Sequence, residues 1–207
     1  MTRLWDISPP VHADSPVFPG DHPTEIGWTF RIGPGCPVNV AELTLSAHVG
    51  SHADAPLHFA DGERTAGELP LEPYLGRCVV VHAIGARPYV GWDALAGAEG
   101  AERVLVRTYE TAPVDRWEPA FAAISPDALS RLAASGTRLI GTDAASLDPA
   151  ESKDLPAHMA AHRGDVRILE NLVLDDVDEG EYELIALPLK LVTADAAPVR
   201  AVLRTLS

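Results

Sequence analysis

The feature that most limits the fold of this chain is the spread of its prolines and glycines. The 207 residues include 18 prolines and 16 glycines, which are distributed along the whole length. Proline lacks a backbone donor and glycine weakens helix interiors, so both residues favour turns over long regular segments. The sequence therefore predicts short regular elements joined by many short loops.

Apolar patterning assigns most of these elements to strands. Strand character is found at 4–8, 38–48, 77–84, 103–108, 137–141, 166–169 and 183–191. One helix is predicted over 125–136, because Ser125 and Pro126 form an N-cap and N1 pair, and a second over 156–164. About six to eight strands with two or three helices do not fit an uninterrupted Rossmann alternation. Since no linker divides the chain, we expect a single compact, strand-rich α/β domain over residues 1–207.

Charge and cysteine content narrow the function classes. Asp and Glu outnumber Lys and Arg by 30 to 16, which gives a formal net charge of -14. Because such a chain repels phosphate backbones and anionic lipids, we expect no nucleic-acid partner and no membrane partner. Cys36 and Cys78 are too few for a disulfide framework and lack C-x-x-C spacing. With no signal-peptide pattern and no membrane-length apolar stretch, a soluble, cytoplasmic protein is expected.

The segment HVGSHADAPLHF is dense in residue types that bind metals. Four such residues fall within eleven positions, namely His48, His52, Asp54 and His58. Imidazoles with a carboxylate suit zinc, manganese or a related divalent ion. Period-two spacing puts His52 and Asp54 on one face of an extended stretch, while Gly50 permits a turn after the strand predicted to hold His48. Pro56 favours a loop at a strand end for this stretch over a regular central strand.

Spacing alone leaves the role of His58 open. A mononuclear site is complete with His48, His52, Asp54 and an open position for water. His58 is then either a fourth ligand or a free acid/base. The alternative to a metal site is a polar loop in which these histidines only form hydrogen bonds.

A second group of candidate ligands follows later in the chain. His158 and His162 are one turn apart on the second predicted helix, so they share a face and either can point to a metal. Glu170 lies among apolar neighbours in RILENL, where a carboxylate needs a cation or hydrogen-bond partners. The alternative for Glu170 is an edge strand on which its side chain faces water.

Other residues carry weaker indications. Phe18 is flanked by Pro16 and Pro19, which are unsuited to a central strand, so its ring is expected to face a cleft. Asp6, Asp143 and Asp148 are interpreted as cap, turn or strand-end residues. No G-x-S-x-G nucleophile elbow is present, so a serine hydrolase of the α/β-hydrolase type has no support.

Several ordered motifs resemble one known family. SAHVGSHADAPLHF resembles the H-x-G-[ST]-H-x-D-[AT]-P-x-H signature of the cyclase-like metal-dependent hydrolases. The motifs WDIS, FPGD, ELPLEPYLG, GTDAASLDP, LPAH and ILENLVLDDVDEGEYELIALPLKL extend the similarity over almost the whole chain. Within that family, the chain resembles the bacterial kynurenine formamidases (arylformamidases).

The resemblance implies a fold and a set of residue roles. The fold is a compact swivelling β/β/α unit, generally found as a homodimer. Two divalent ions per chain, usually zinc, are implied, and Asp54 bridges them. The implied ligands are His48, His52, Asp54, His158 and Glu170. His58 is the implied general acid/base, and Phe18 matches a substrate-pocket position where the family often has Trp.

The implied activity is the hydrolysis of N-formyl-L-kynurenine to L-kynurenine and formate in tryptophan degradation. Water activated by metal would attack the formyl carbon, and His58 would deliver a proton to the leaving aniline nitrogen. The nearest alternative is a related hydrolase that acts on another small lactam or acylated substrate, such as an isatin-type lactam. A non-catalytic metal-binding protein is a further alternative, against which the presence of His58 beside an open metal site argues.

Overall fold

The computed structural model describes residues 3–206, which form a strand-rich α/β architecture. The strands are β1 Leu4–Asp6, β2 Glu25–Phe30, β3 Val40–Thr44, β4 His52–Asp54, β5 Leu75–His82, β6 Tyr89–Val90, β7 Arg103–Arg107, β8 Ala123–Ile124, β9 Leu139–Thr142, β10 Arg167–Glu170, β11 Gly180–Ile185, β12 Ala196–Pro198 and β13 Val202–Arg204. The α-helices are α1 Trp92–Leu95, α2 Pro126–Ala134 and α3 Pro156–Arg163. Within this range no helix has the length and apolar character needed to cross a membrane.

Nine strands form one sheet in the order β1-β13-β11-β5-β7-β9-β10-β4-β12. The central strands β5, β7, β9 and β10 are parallel, whereas the outer pairs are antiparallel. Residues 199–201 join β12, at one edge, to β13, next to the other edge. Such a connection reaches at most about 15 Å, whereas these strands would lie about 33 Å apart in a flat sheet. The sheet is therefore curled back on itself.

Alternate side chains of the sheet pack into two apolar cores. Leu105 on β7 and Leu169 on β10 belong to the core on one side. Val104 and Val106 on β7 and Ile168 on β10 belong to the core on the other side, together with the buried faces of α2 and α3. This alternation follows the period of two in a strand, and it assigns α3 to the face of β10 that carries Ile168.

The structure confirms both predicted helices. Ser125 caps α2 by accepting a hydrogen bond from the backbone of Ala128, and Pro126 occupies its first turn. The helix predicted over 156–164 is α3, which starts at Pro156 and has Gly164 as its C-cap. Local signals were sufficient to predict both helices, because the preferences of proline for the first turn and of glycine for the C-terminal end depend only on neighbours in the chain.

Three predictions of local structure are wrong: the extents of two strands and one loop. The strand predicted over 38–48 is β3, which ends at Thr44, so His48 lies in a turn beyond it. The segment predicted as a loop is β4, a strand paired with β10 on one side and β12 on the other. Pro56 lies two residues after β4 ends and removes no hydrogen bond from the ladder. The strand predicted over 183–191 stops at Ile185, where β11 ends.

The hairpin formed by β2 and β3 is separate from the large sheet. All of its strand residues are exposed. Ile26 lies opposite Leu43 and Trp28 lies opposite Ala41, so these four side chains share one apolar face. A two-stranded hairpin is at best marginally stable alone in water. This face is therefore a paired apolar surface that no other described element covers.

Candidate metal centre

Two neighbouring strands bring three of the predicted ligands to one face of the sheet. β4 pairs antiparallel with β10, and His52 lies directly opposite Glu170. His52 and Asp54 alternate with Ala53, so both point to the same face, as their spacing predicts. This is the face that α3 covers, because Ile168, the partner of Asp54, packs there. Glu170 is buried on an interior strand, which excludes the edge-strand alternative.

The first turn of α3 brings in His158. The Asp148 carboxylate accepts hydrogen bonds from the backbone N–H groups of Ala157 at 2.9 Å and His158 at 3.0 Å. These are donors that a helix N-terminus leaves without partners in its own backbone. The His158 Nδ1–H donates to the same carboxylate at 2.7 Å. Asp148 therefore caps a helix, which is one of the roles that the sequence left open for it, and it also orients the ring of His158, which the sequence does not reveal.

Four buried polar atoms at this point have no hydrogen-bond partner. They are His52 Nε2, Asp54 Oδ1, Asp54 Oδ2 and His158 Nε2. A buried polar group without a hydrogen-bond partner can lower the free energy of unfolding by several kcal/mol, and such groups are rare in native proteins. All four atoms converge on one region, and their donor set of imidazole nitrogen and carboxylate oxygen is one that zinc and related ions prefer. The residues present therefore fit a divalent cation.

The two oxygens of Asp54 face different imidazoles. Asp54 Oδ1 lies 3.2 Å from His48 Nδ1 and 3.4 Å from His52 Nε2. Asp54 Oδ2 lies 3.4 Å from His158 Nε2. Glu170 reaches both sides as well, with Oε2 at 3.3 Å from His52 Nε2 and Oε1 at 3.5 Å from His158 Nε2. The candidate ligand atoms thus form two adjacent groups, one around His48 and His52 and the other around His158, and both carboxylates contact both groups.

The ionisation of these groups shows a strongly negative centre. Burial alone would raise the pKa of Asp54, but the neighbouring imidazoles of His158, His48 and His52 hold it well below its ordinary value. Burial and the charge of Asp54 tend to raise the pKa of Glu170. The adjacent imidazoles of His158 and His52 have the larger effect, so the pKa of Glu170 is lowered from its ordinary value. Burial lowers the pKa of His158, whereas Asp148, Asp54 and Glu170 raise it well above its ordinary value. A site that draws protons in this way also attracts a metal cation.

Three imidazoles share one arrangement around this centre. In each, one ring nitrogen faces the buried carboxylates and the other ring nitrogen forms a hydrogen bond with an acceptor. His52 Nδ1–H donates to the backbone oxygen of Gly50 at 2.9 Å, and His158 donates to Asp148. His48 Nε2 lies 3.0 Å from Asp195 Oδ2. Metal-binding histidines are commonly oriented by such partners on their second nitrogen.

His58 lies at the rim of the centre, at the end of the 3-10 turn Pro56–His58. Its Nδ1 lies 3.0 Å from the same Asp195 oxygen that contacts His48, and the centroids of the two imidazole rings are 4.4 Å apart. Its Nδ1 contacts Asp195, and one of its ring nitrogens lies within 4.8 Å of a candidate ligand atom on each of His48 and Asp54. This placement leaves Nε2 of His58 without a hydrogen-bond partner among the described residues.

A cavity of about 500 Å³ opens onto the centre. His48, His52, His58, His158 and Glu170 contribute to its wall, and Phe18 and Trp117 also line it. The rings of Phe18 and Trp117 meet edge to face, with centroids 5.3 Å apart. The cleft expected beside Phe18 is therefore present, and Trp117 adds a second ring that the sequence did not single out.

The remaining candidate histidine points elsewhere. His162 Nε2 lies 3.8 Å from Glu63 Oε1, and its ring packs beside Phe59. It does not contribute to the cavity wall. Sequence reasoning also missed Asp195, which is separated from His48 by 147 positions. No local pattern marks Asp195, because its partners are neighbours only in the fold.

Comparisons with known proteins agree with this geometry. The family described as putative cyclase matches residues 5–149. Kynurenine formamidase from Paracidovorax citrulli is 59% identical over 98% of this chain and 96% of its own length. The chain belongs to the kynurenine formamidases of the cyclase family. The protein is therefore a hydrolase and not a non-catalytic metal-binding protein.

Solved structures place the fold of this kynurenine formamidase family member among metal-dependent hydrolases. A predicted metal-dependent hydrolase from Bacillus stearothermophilus has a TM-score of 0.84 and 29% identity, and the match covers 100% of both chains. An isatin hydrolase bound to the product analogue thioisatinate has a TM-score of 0.85 over 100% of this chain and 93% of its own. At 21% identity that likeness shows the fold alone.

Proposed function

We propose that this chain hydrolyses N-formyl-L-kynurenine to L-kynurenine and formate, a step of tryptophan degradation. The observation that carries the proposal is the convergence of unpartnered buried nitrogens and carboxylate oxygens at the base of a cavity with an aromatic wall. The identity of 59% to a kynurenine formamidase supports the choice of substrate. The substrate is a formanilide, so it presents a formyl group to the centre and an aryl ring to the wall.

We propose two divalent ions, zinc in each case, as the cofactors. The proposed ligands are His48, His52, Asp54, His158 and Glu170. The bridging role of Asp54 is supported by its two oxygens, which face different imidazoles. When bound, the ions would supply a Lewis acid that polarises the formyl carbonyl and lowers the pKa of water.

The proposed general acid/base is His58. Water attacks the formyl carbon, the C–N bond breaks, and the aniline nitrogen leaves with an added proton. His58 accepts the proton that the attacking water loses and gives it to that nitrogen, so the imidazole returns to its starting state. Its position supports this role, since the exposed ring lines the cavity and contacts Asp195, which also contacts His48.

Phe18 is the proposed substrate-binding residue. Its ring and the edge-to-face ring of Trp117 form an aromatic wall against which the aryl group of the substrate would pack. The pocket position that is often Trp in the family is Phe here, and Trp117 supplies indole surface from another loop. The wall therefore keeps an aromatic character.

We further propose that the protein is a cytoplasmic homodimer. The apolar face of the β2–β3 hairpin supports the dimer, because Ile26, Trp28, Ala41 and Leu43 gain a cover when a second copy packs on them. Light scattering should give the mass of two chains for the wild type. Trp28→Asp should shift the protein towards monomer, whereas Thr44→Asp, on the other face of the hairpin, should not.

The proposed reaction is tested by measuring kynurenine and formate release from N-formyl-L-kynurenine together with the metal content per chain. We expect activity that is lost on chelation and restored by zinc, with equal amounts of the two products. Full activity in protein verified to be metal-free, or a trapped formyl adduct of a side chain, would refute the proposal. Isatin in the same assay tests the alternative substrate class, and faster turnover of isatin would replace the proposed substrate.

A further inference from the structure

One carboxylate joins the buried centre to its exposed rim. Asp195 Oδ2 lies 3.0 Å from His48 Nε2 and 3.0 Å from His58 Nδ1. No other described carboxylate contacts both a proposed ligand and the proposed acid/base. Asp195 therefore occupies a position from which it acts on both imidazoles at once.

The position of Asp195 is determined by the sheet. Its backbone oxygen accepts a hydrogen bond from the N–H of Ala55 at 2.8 Å. The next residue, Ala196, begins β12 and is paired with Asp54 on β4. The strand β4, which carries the proposed ligands His52 and Asp54, thus also pairs with the backbone next to Asp195. The position of the Asp195 backbone is therefore fixed by the sheet.

An ionised carboxylate only accepts hydrogen bonds, so both nitrogens that meet Asp195 Oδ2 must carry hydrogen. On His48, a hydrogen on Nε2 leaves Nδ1 free to face Asp54 Oδ1. On His58, a hydrogen on Nδ1 leaves the Nε2 lone pair free to accept a proton. The tautomer of a histidine is set by the hydrogen bond of its other nitrogen, so one oxygen selects the useful tautomer of both rings.

We propose that Asp195 is a positioning residue that sets the tautomer and orientation of His58 for proton transfer and of His48 for metal binding. The inference rests on the proposed function for the role of His58. The part of the proposal that concerns His48 and metal binding does not depend on the identity of the substrate. The two halves can be measured separately.

The first test is a cycle of variants assayed at saturating zinc, comprising Asp195→Ala, Asp195→Asn, His58→Ala and the double variant Asp195→Ala with His58→Ala. Asp195→Ala should lower kcat about 10-fold or more, as carboxylate partners of functional histidines do, with KM changed less than about 2-fold. In the His58→Ala background the same change should have almost no effect on kcat. Asp195→Asn, which keeps an accepting oxygen, should lose less. Equal losses in both backgrounds would overturn the proposal for His58.

The second test measures zinc retained by the holoprotein during dialysis against graded chelator. Asp195→Ala should lose zinc at about 10-fold lower chelator strength, and His58→Ala should match the wild type. Asp6→Ala is the control, because Asp6 is an aspartate that pairs with Arg200 away from the cavity. Unchanged zinc retention in Asp195→Ala would overturn the proposal for His48. Zinc loss as complete as in His52→Ala would make Asp195 a ligand rather than a positioning residue.

The third test reads the tautomers directly by ¹⁵N NMR of histidine-labelled, zinc-loaded protein. The wild type should show His58 with hydrogen on Nδ1, and Asp195→Ala should show a mixture of tautomers. The same His58 signal in both proteins would overturn the proposal. Absence of N-formyl-L-kynurenine turnover in the wild type would refute the proposed function, whereas the NMR and zinc measurements would still decide the role of Asp195.

Discussion

The buried and exposed sides of the candidate centre differ in what surrounds their polar atoms. The side chains of His52, Asp54, His158 and Glu170 are between 0% and 4% exposed, and four of their polar atoms have no hydrogen-bond partner. On the rim, His48, His58 and Asp195 are 20%, 32% and 44% exposed and bond to one another. Buried donors without water gain most from a cation, whereas rim groups can exchange protons with substrate and solvent. We therefore expect the buried side to dominate metal retention and His58 on the rim to act in turnover. His48, a proposed ligand that contacts both Asp54 and Asp195, links the two sides.

The largest effect is expected from His158→Ala on the buried side. Loss of this imidazole should lower metal content towards one ion per chain and reduce activity about 10³-fold or more, since metal catalysis contributes several kcal/mol. Because a metal that binds only the folded state stabilises it by mass action, added zinc should also raise Tm less. Metal analysis, turnover and a thermal scan with and without zinc measure all three.

His162→Ala is the matched control for this variant, one turn along the same helix. Its ring faces Glu63 and Phe59, so metal content and activity should stay near wild type. Equal metal loss in the two variants would reverse the assignment of the buried side.

His58→Ala should separate turnover from metal retention. General acid/base groups contribute about 10²–10⁴-fold, so kcat should fall by that factor while both ions stay bound. The comparison is with His52→Ala, which should lose metal and activity together. If His58→Ala empties the centre to the same extent, His58 is a ligand and the rim is not distinct from the buried side.

Asp148→Ala should have the opposite effect from His58→Ala, with weaker metal binding but little loss of turnover once zinc is saturating. The variant loses the acceptor that caps α3 and holds His158, so metal affinity should fall about 10- to 100-fold and the free energy of unfolding by about 1–3 kcal/mol. Activity at saturating zinc should recover most of its wild-type value. Asp154→Ala, an exposed aspartate on the same loop, should leave both quantities unchanged. Urea unfolding and a zinc titration provide the measurements, and wild-type affinity in Asp148→Ala would contradict the role given to this carboxylate.

The smallest effect is expected from Phe18→Ala on the aromatic wall. An aromatic pair contributes about 0.5–1.5 kcal/mol, so KM should rise roughly 2- to 10-fold with little change in kcat. Phe18→Trp should stay close to wild type, because it keeps an aromatic surface towards the cavity. A large fall in kcat with unchanged KM would place Phe18 in the chemistry instead of in substrate binding.

Local sequence determined the elements that depend on neighbouring residues. Ser125 with Pro126, and Pro156 with Gly164, defined the ends of two helices through capping and backbone preference. The spacing of His52 and Asp54 determined that they share a face, because side chains alternate in any extended strand. The ordered motifs, compared with a known family, were enough to indicate the activity.

Tertiary structure decided which of these elements meet. His48 lies beyond its strand, and β4 is an interior strand, because the order of strands in the sheet is not encoded in the pattern of any one segment. Helical spacing allowed either His158 or His162 to face the centre, and the packing of α3 on the sheet turned His158 inwards. Asp195 reaches His48 and His58 only because β12 pairs with β4. Contacts between residues far apart in the chain depend on strand order and on the curl of the sheet, whereas periodicity and capping are properties of neighbours.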